Sequence, residues 1–279
     1  MAALKHGLLF NNPFLKNQHM KSISKIAFAA CILFASCQRK DDPTPVTPVV
    51  PVAAAGKVYM EFMATAGSSP LIMNNSWYQN EAGDSFKVTK FNYYVSNIVL
   101  NGANGTPDYT EKESYHLVET PASPGQVAFN LNEVPAGNYR SVTYMIGVDS
   151  TRNVSGAQTG DLDQLKGNFW SWNSGYIMLK FEGTSPSSPN ADGRMVMHCG
   201  GFSGANSVLK TVTLDFPQTI AVSAQEEPHV HVEANLLQMF KAPNLVRFAD
   251  ITSIHMPGPT AKMLSDNYAT MFKVTYAGK

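Results

Sequence analysis

The residues best suited to chemistry are four histidines in the C-terminal half of the chain. His198 lies in "MVMHCGG", His229 and His231 lie in "PHVHVEAN", and His255 lies in "SIHMPGP". Imidazole binds zinc, copper, nickel and iron alike, so these residues predict a metal site without selecting the metal. The thioether of Met256 beside His255 would favour Cu(I), because soft ligands select that ion.

The segment around His229 has the alternating pattern of a β-strand. Because successive side chains of a strand point to opposite faces, His229, His231 and Glu233 are expected to share one face. Residues two apart lie about 6.6 Å apart at Cα, a separation that two imidazoles can close onto one metal ion with bonds of about 2 Å. A solvated strand face would produce the same pattern, and the spacing leaves both interpretations open.

Cys199 directly follows His198 in the same predicted strand. Neighbouring strand residues face opposite ways unless a bulge turns one of them, so the two side chains are not expected to bind one metal ion. Free cysteine usually behaves as a small apolar residue. We therefore predict that Cys199 is buried and is not a ligand.

Two of the three tryptophans stand one residue apart in "FWSWNSGYIMLKFEG". In an extended segment Trp170 and Trp172 would face the same side, so both could flank one site. The alternative is an aromatic pair at the rim of the core, where the ring packs and the indole N–H stays hydrated.

An acidic loop, Gly147 to Gly167, contains Asp149, Asp161 and Asp163. Calcium prefers oxygen ligands of this kind, so the loop allows a calcium site. It lacks the spacing of an EF-hand, however, and aspartate is common in turns because its side chain accepts hydrogen bonds from the local backbone. Turn stabilisation is the favoured interpretation.

These side chains must be positioned by short segments rich in β-branched and aromatic residues. Clusters of Gly, Pro, Asn and Ser separate the segments from one another. The pattern predicts an all-β fold, an antiparallel β-sandwich. One or two short helices are expected near the C-terminus, at Asn235 to Lys241 and Ala261 to Phe272. The predicted strands are Lys57 to Ala64, Phe86 to Leu100, Asn138 to Val148, Gly175 to Gly183, Arg194 to Gly200, Val208 to Leu214 and His229 to Ala234.

Composition and missing motifs exclude several functional classes. The chain has 279 residues, 44% of them hydrophobic, and its 21 basic and 21 acidic side chains give a formal charge of +0, so nucleic acid is not an expected partner. No nucleophile elbow, phosphate-binding glycine loop or Cys-x-x-Cys pair occurs, and we predict that the protein is not an enzyme. A metal-dependent hydrolase with Glu233 as general base is the enzymatic alternative.

The N-terminal region has the pattern of an exported lipoprotein. Two lysines precede an apolar run that is too short to span a bilayer as a helix, and Ala35 and Ser36 before Cys37 resemble a lipobox. Cys37 is the predicted lipidation site, with a plain secreted protein as the alternative. The predicted divisions are a doubtful upstream extension at 1–19, a signal peptide at 20–36, the lipidated cysteine and a Pro-rich tether at 37–56, and the folded domain at 57–279.

Four stretches resemble one known family, the MbnP-like copper-binding proteins. They are "KFNYYVSNIVL", "GVDSTRNVSGAQTGDLDQLKGNFWSWNSGYIMLKFEGTSP", "MVMHCGGF" and "MPGPTAKMLSDNYATMF", and the resemblance covers most of Lys57 to Tyr276. The residues after Cys37, "QRKDD", resemble the signal that sends lipoproteins of the Bacteroidetes group to the cell surface. The resemblance and this signal together imply an outer-membrane lipoprotein exposed at the surface, with a periplasmic location as the alternative.

The resemblance implies copper held by histidines, in some members with a tryptophan oxidised to kynurenine as a further ligand. It therefore implies Cu(I) bound by His198 with His231 or His255, with Trp170 or Trp172 beside the ion. The expected partner is a metal ion or a metal chelate, which is methanobactin in methane oxidisers. The implied function is copper acquisition or handling, and a di-haem peroxidase or an outer-membrane transporter encoded nearby would support it. The alternative is a glycan-binding or ligand-binding platform formed by Trp77, Trp170, Trp172 and Tyr176.

Overall fold

The computed structural model describes residues 54–171 and 173–279 of the chain. The predicted signal peptide, Cys37, nearly all of the tether and Trp172 lie outside the described residues. Strands β1 to β15 span Gly56–Ala66, Ser69–Pro70, Tyr78–Gln79, Ser85–Ala103, Tyr109–Thr110, Tyr115–Glu119, Gln126–Val134, Gly137–Ile146, Phe169–Ser171, Gly175–Thr184, Arg194–Gly200, Lys210–Val222, His229–Asn235, Ser253–Ile254 and Phe272–Gly278. Helices α1 and α2 span Ser150–Asn153 and Pro259–Tyr268, and short 3-10 segments span Gly160–Leu162, Gln164–Lys166 and Leu236–Phe240.

The predicted fold class is confirmed, because two mainly antiparallel sheets pack against each other. All seven predicted strands are present, several of them longer than predicted. The predicted helix at Ala261 to Phe272 is α2, which ends at Tyr268 so that β15 can begin at Phe272. The helix predicted at Asn235 to Lys241 is a five-residue 3-10 turn. No helix among the described residues is long and apolar enough to span a membrane.

The smaller sheet has the order β15-β13-β1-β2, with β7 also paired to β1. Strands β1 and β13 run parallel, although 162 residues of chain separate Ala66 from His229. The register places Tyr59 opposite His229 and Glu61 opposite His231. This pair is parallel within the predicted antiparallel sandwich, and the strand pattern alone does not show which strands pair.

The larger sheet has the order β12-β8-β4-β10-β11-β14, and β11 and β14 also run parallel. Its longest strand, β4, has 19 residues and additionally pairs with β3, β5 and β6. The short strand β9 pairs with the beginning of β10 and carries Trp170.

Aromatic side chains fill the space between the two sheets. Phe62 of β1 contacts Tyr93 and Tyr144 of the larger sheet, with ring centroids 6.5 and 5.9 Å apart. Each fully buried side chain of this size contributes about 1.5–3 kcal/mol through removal of apolar surface from water. The packing buries the inner face of each sheet, which leaves half-buried polar side chains, including His198, His229 and His231, on the outer faces.

Candidate metal centre

The structure arranges the four histidines as two pairs. The ring centroids of His198 and His255 are 6.0 Å apart, and those of His229 and His231 are 6.2 Å apart. The first pair belongs to the larger sheet and its β14 edge, whereas the second pair belongs to β13 of the smaller sheet. Of the two partners expected for His198, the structure therefore places His255 beside it and His231 on the other sheet.

Strand pairing brings His255 to His198. Met197 and Ile254 are partners in the parallel pairing of β11 with β14, so His255 follows directly beside His198. Met197 and Cys199 are completely buried on the core side, which directs the half-buried His198 to the opposite face of β11. The prediction that Cys199 is a buried apolar residue is confirmed, and burial raises the pKa of its thiol to about 12.

Both histidine pairs are within reach of one metal ion. An imidazole nitrogen that binds a metal at about 2 Å places the ring centroid about 3.2 Å from the metal. Two such rings are therefore at most about 6.4 Å apart, a separation reached when the two nitrogens lie on opposite sides of the metal. The observed separations of 6.0 and 6.2 Å lie below this limit. Within residues 54–171 and 173–279, no three His, Cys, Asp or Glu side chains are already arranged around one metal position.

Glu182 of β10 determines which nitrogen of His198 is available. Its Oε1 lies 2.8 Å from Nε2 of His198. A carboxylate can only accept a hydrogen bond here, so Nε2 carries the proton and Nδ1 is left as the free ligand atom. Burial lowers the pKa of His198, although the hydrogen bond with Glu182 acts in the opposite direction. The neutral imidazole is therefore favoured, and that is the form that binds metals.

Trp170 lies against the strand that carries His198. A Cβ at Gly200 would lie 2.4 Å from Cζ3 of Trp170 and 2.9 Å from the carbonyl oxygen of Tyr176. Only a glycine at this position allows the indole to approach β11 so closely. Because Gly200 stands two residues after His198, the indole and the imidazole lie along one face of the strand.

Lys180 and Glu182 were not predicted as part of this site. Lys180 is nearly buried on β10, and its Nζ donates a hydrogen bond to the carbonyl of Gly167, just before the strand that carries Trp170. Burial lowers the pKa of this lysine. The sequence contains a signal for both residues, since "LKFEG" places two charges at alternate positions of an otherwise apolar strand.

The three aspartates of the acidic loop have separate partners. Asp149 caps α1 and accepts hydrogen bonds from Tyr115 and Asn97, while Asp163 caps the 3-10 segment that follows it. Asp161 forms an ion pair with Lys166. Hydrogen bonding lowers the pKa of Asp149 even though burial acts to raise it. These contacts agree with turn stabilisation and give no support to a calcium site.

The described members of the aromatic platform predicted as an alternative, Trp77, Trp170 and Tyr176, do not form one surface. Tyr176 is only 2% exposed, and its hydroxyl donates to the carbonyl of Leu162 at 2.7 Å. Trp77 is 55% exposed, but it lies near Thr184, at the opposite end of β10 from Trp170. Ten residues of strand span about 30 Å, so the two indoles cannot contact one small ligand. Including Tyr176 in an exposed platform was wrong.

The chain is similar to one family of known proteins. No curated protein matches the chain. Among solved structures, the chain is similar to MbnP from Methylosinus trichosporium, with 13% sequence identity and a TM-score of 0.49, over 80% of this chain and 99% of that one. The family model described as MbnP matches residues 55–256, which is more than half of the chain. The chain therefore belongs to the MbnP family.

Proposed function

We propose that this protein binds copper as Cu(I) at the pair formed by His198 and His255, with Trp170 beside the ion. The observation that carries the proposal is the 6.0 Å separation of the two rings, combined with the hydrogen bond that holds Nε2 of His198 against Glu182. Two imidazoles at this separation are suitable ligands for copper. Membership of the MbnP family supports copper as the metal.

The surroundings of the pair favour the reduced ion. Met256 follows His255 and is 70% exposed, so its thioether is free to move toward the site. Thioether and imidazole without a free carboxylate form a soft ligand set, which suits Cu(I) better than a hard divalent ion. Glu182 would act as a positioning residue, because a carboxylate on the second nitrogen fixes the orientation of the ligand and increases its basicity.

We also propose that the protein binds or transfers copper and does not catalyse a reaction. Glu233, the carboxylate considered as a general base, accepts a hydrogen bond from Thr65 at 3.1 Å and pairs with Lys273 at 3.2 Å. A base engaged in this way is poorly placed to activate water. Copper would arrive as the ion or as a small chelate.

Competition with a Cu(I) chelator tests the proposal directly. Purified protein without a histidine tag, kept free of oxygen, is expected to take one Cu(I) from the chelator with a dissociation constant below about one micromolar, which corresponds to a binding free energy of about −8 kcal/mol or better. Dissociation constants above the micromolar range would contradict the proposal.

A lipid anchor at Cys37 is the proposed means of attachment, with the outer membrane surface as the location. Replacing Cys37 by serine is expected to abolish labelling by a fatty-acid analogue and to release the protein from the membrane fraction. Cys31→Ser is the matched control, because the apolar run before Cys31 is too short for a signal peptide. Unchanged membrane association of Cys37→Ser would rule out the anchor.

A further inference from the structure

We infer that the outer face of the smaller sheet carries a second metal site, for a divalent transition metal such as Zn²⁺, formed by His229, His231 and Glu61. It lies on the opposite sheet from the proposed copper site and shares no residue with it. The inference therefore stands or falls separately from the proposed function.

The parallel pairing of β1 with β13 brings these donors together. Glu61 and His231 are direct partners, and Tyr59 is the partner of His229. Val230 and Val232 are buried on the core side of β13. His229 and His231 alternate with them along the strand and therefore point outward. Two strands that are far apart in sequence thus present two imidazoles and one carboxylate on one face.

The three side chains are near one another but must move closer together to bind an ion. Oε2 of Glu61 lies 3.9 Å from Nε2 of His231, and the His229 and His231 ring centroids are 6.2 Å apart. Two ligand atoms at about 2.0–2.1 Å from a tetrahedral ion are about 3.4 Å apart, and their ring centroids are about 5.2 Å apart. The Glu61 contact must therefore shorten by about 0.5 Å and the two imidazole rings must approach by about 1 Å. Rotation of half-exposed side chains provides movements of this size without a change in the backbone.

Glu61 differs from its neighbour Glu233 in having no hydrogen-bond partner among the described residues. The Glu61 side chain is only 17% exposed, and within the described residues its nearest ion-pair partner is His231 at 3.9 Å, which is too long for a hydrogen bond. Glu233 is already bound by Lys273 and Thr65. A partly buried carboxylate beside two imidazoles can be stabilised by a bound cation. Glu61, and not the Glu233 expected from the strand pattern, is therefore the third ligand.

Aromatic rings on both sides restrict the two imidazoles. Tyr59 lies 4.7 Å from His229 and Tyr276 lies 5.0 Å from His231, measured between ring centroids. The carboxylate ligand distinguishes this site from the copper site, because imidazole with carboxylate is a typical ligand set for Zn²⁺. A bound ion would link β1 to β13 directly and would stabilise the native state, since the site does not exist in the unfolded chain.

Zn²⁺ calorimetry on the purified protein without a histidine tag tests the inference. The parent protein is expected to bind Zn²⁺, and His231→Ala and Glu61→Gln are each expected to lower the affinity at least tenfold. Glu233→Gln is the matched control. The carboxylate that it removes lies on the same face but is not a ligand of the site, so this variant should bind Zn²⁺ as the parent does. His198→Ala should also bind Zn²⁺ as the parent does while losing Cu(I), which separates the two sites.

Thermal unfolding of the same proteins gives a second readout. Zn²⁺ should raise the melting temperature of the parent and of Glu233→Gln, but not that of His231→Ala, and far-UV circular dichroism should show that each variant is folded before metal is added. The site does not exist if the parent fails to bind Zn²⁺, or if Glu61→Gln and Glu233→Gln bind it equally well. In that case the imidazoles and tyrosines form a packed row on the sheet without a metal.

Discussion

Replacing His198 by alanine is expected to lower the affinity for Cu(I) at least a hundredfold, which corresponds to about 2.7 kcal/mol. His255→Ala should have an effect of similar size, because each ring provides one of the two proposed nitrogen ligands. Glu182→Gln should cost less, about tenfold, since it only weakens the contact that orients His198. Chelator competition without oxygen measures all three constants.

The matched control for this series is His231→Ala. His231 is also a half-buried histidine on the outer face of a strand, but it belongs to the other sheet, so its loss should leave Cu(I) affinity unchanged. Equal affinities for the parent and the His198 and His255 variants would place the copper site elsewhere. If His198→Ala fails to fold without metal, as judged by circular dichroism, His198 is a structural residue and not a ligand.

Gly200→Ala is expected to destabilise the fold by about 1–3 kcal/mol, the usual cost of overpacking. The new methyl group would meet the Trp170 ring and the backbone oxygen of Tyr176, and a backbone atom cannot move aside as a flexible side chain can. Trp170 should be displaced toward water. Urea unfolding measures the lost stability, and a red shift of Trp170 emission, in a protein whose other two tryptophans are phenylalanine, measures the displacement.

Gly258→Ala is the control for this substitution. A Cβ at Gly258 would have no neighbouring atom within 4 Å, and the residue has an extended φ of 171°. Its stability and Trp170 emission should match those of the parent. If Gly200→Ala unfolds at the same urea concentration as Gly258→Ala, the indole does not depend on the space above Gly200.

The sequence is sufficient to predict the fold class and the orientation of individual side chains, because both follow from local periodicity. Alternation in "HVHVEA" correctly predicts that His229 and His231 face away from Val230 and Val232. The burial of Cys199 follows from the apolar character of a free cysteine. These properties depend only on neighbours along one strand, so no knowledge of strand pairing is needed.

Strand pairing determines the composition of the candidate sites, and single-sequence periodicity does not contain that information. His255 is beside His198 because β14 runs parallel to β11, and Glu61 is beside His231 because β1 runs parallel to β13. The local pattern of "YMEFM" does not indicate that Glu61 has a histidine as its partner. The helix predicted from Ala261 overlaps β15 at Phe272 alone, and β15 itself is not among the predicted strands.

The parallel pairing of β1 with β13 also constrains when the domain can fold. β1 is the first strand of the described domain, yet it lies between β7 and β13, and β13 in turn needs β15 at residues 272–278. Contacts between such distant segments slow folding, because a long loop must close before they form. If the chain is exported from its N-terminus onward, as proposed, β1 remains without one neighbour until residues 229–235 have been translocated. The smaller sheet would then be completed only near the end of export.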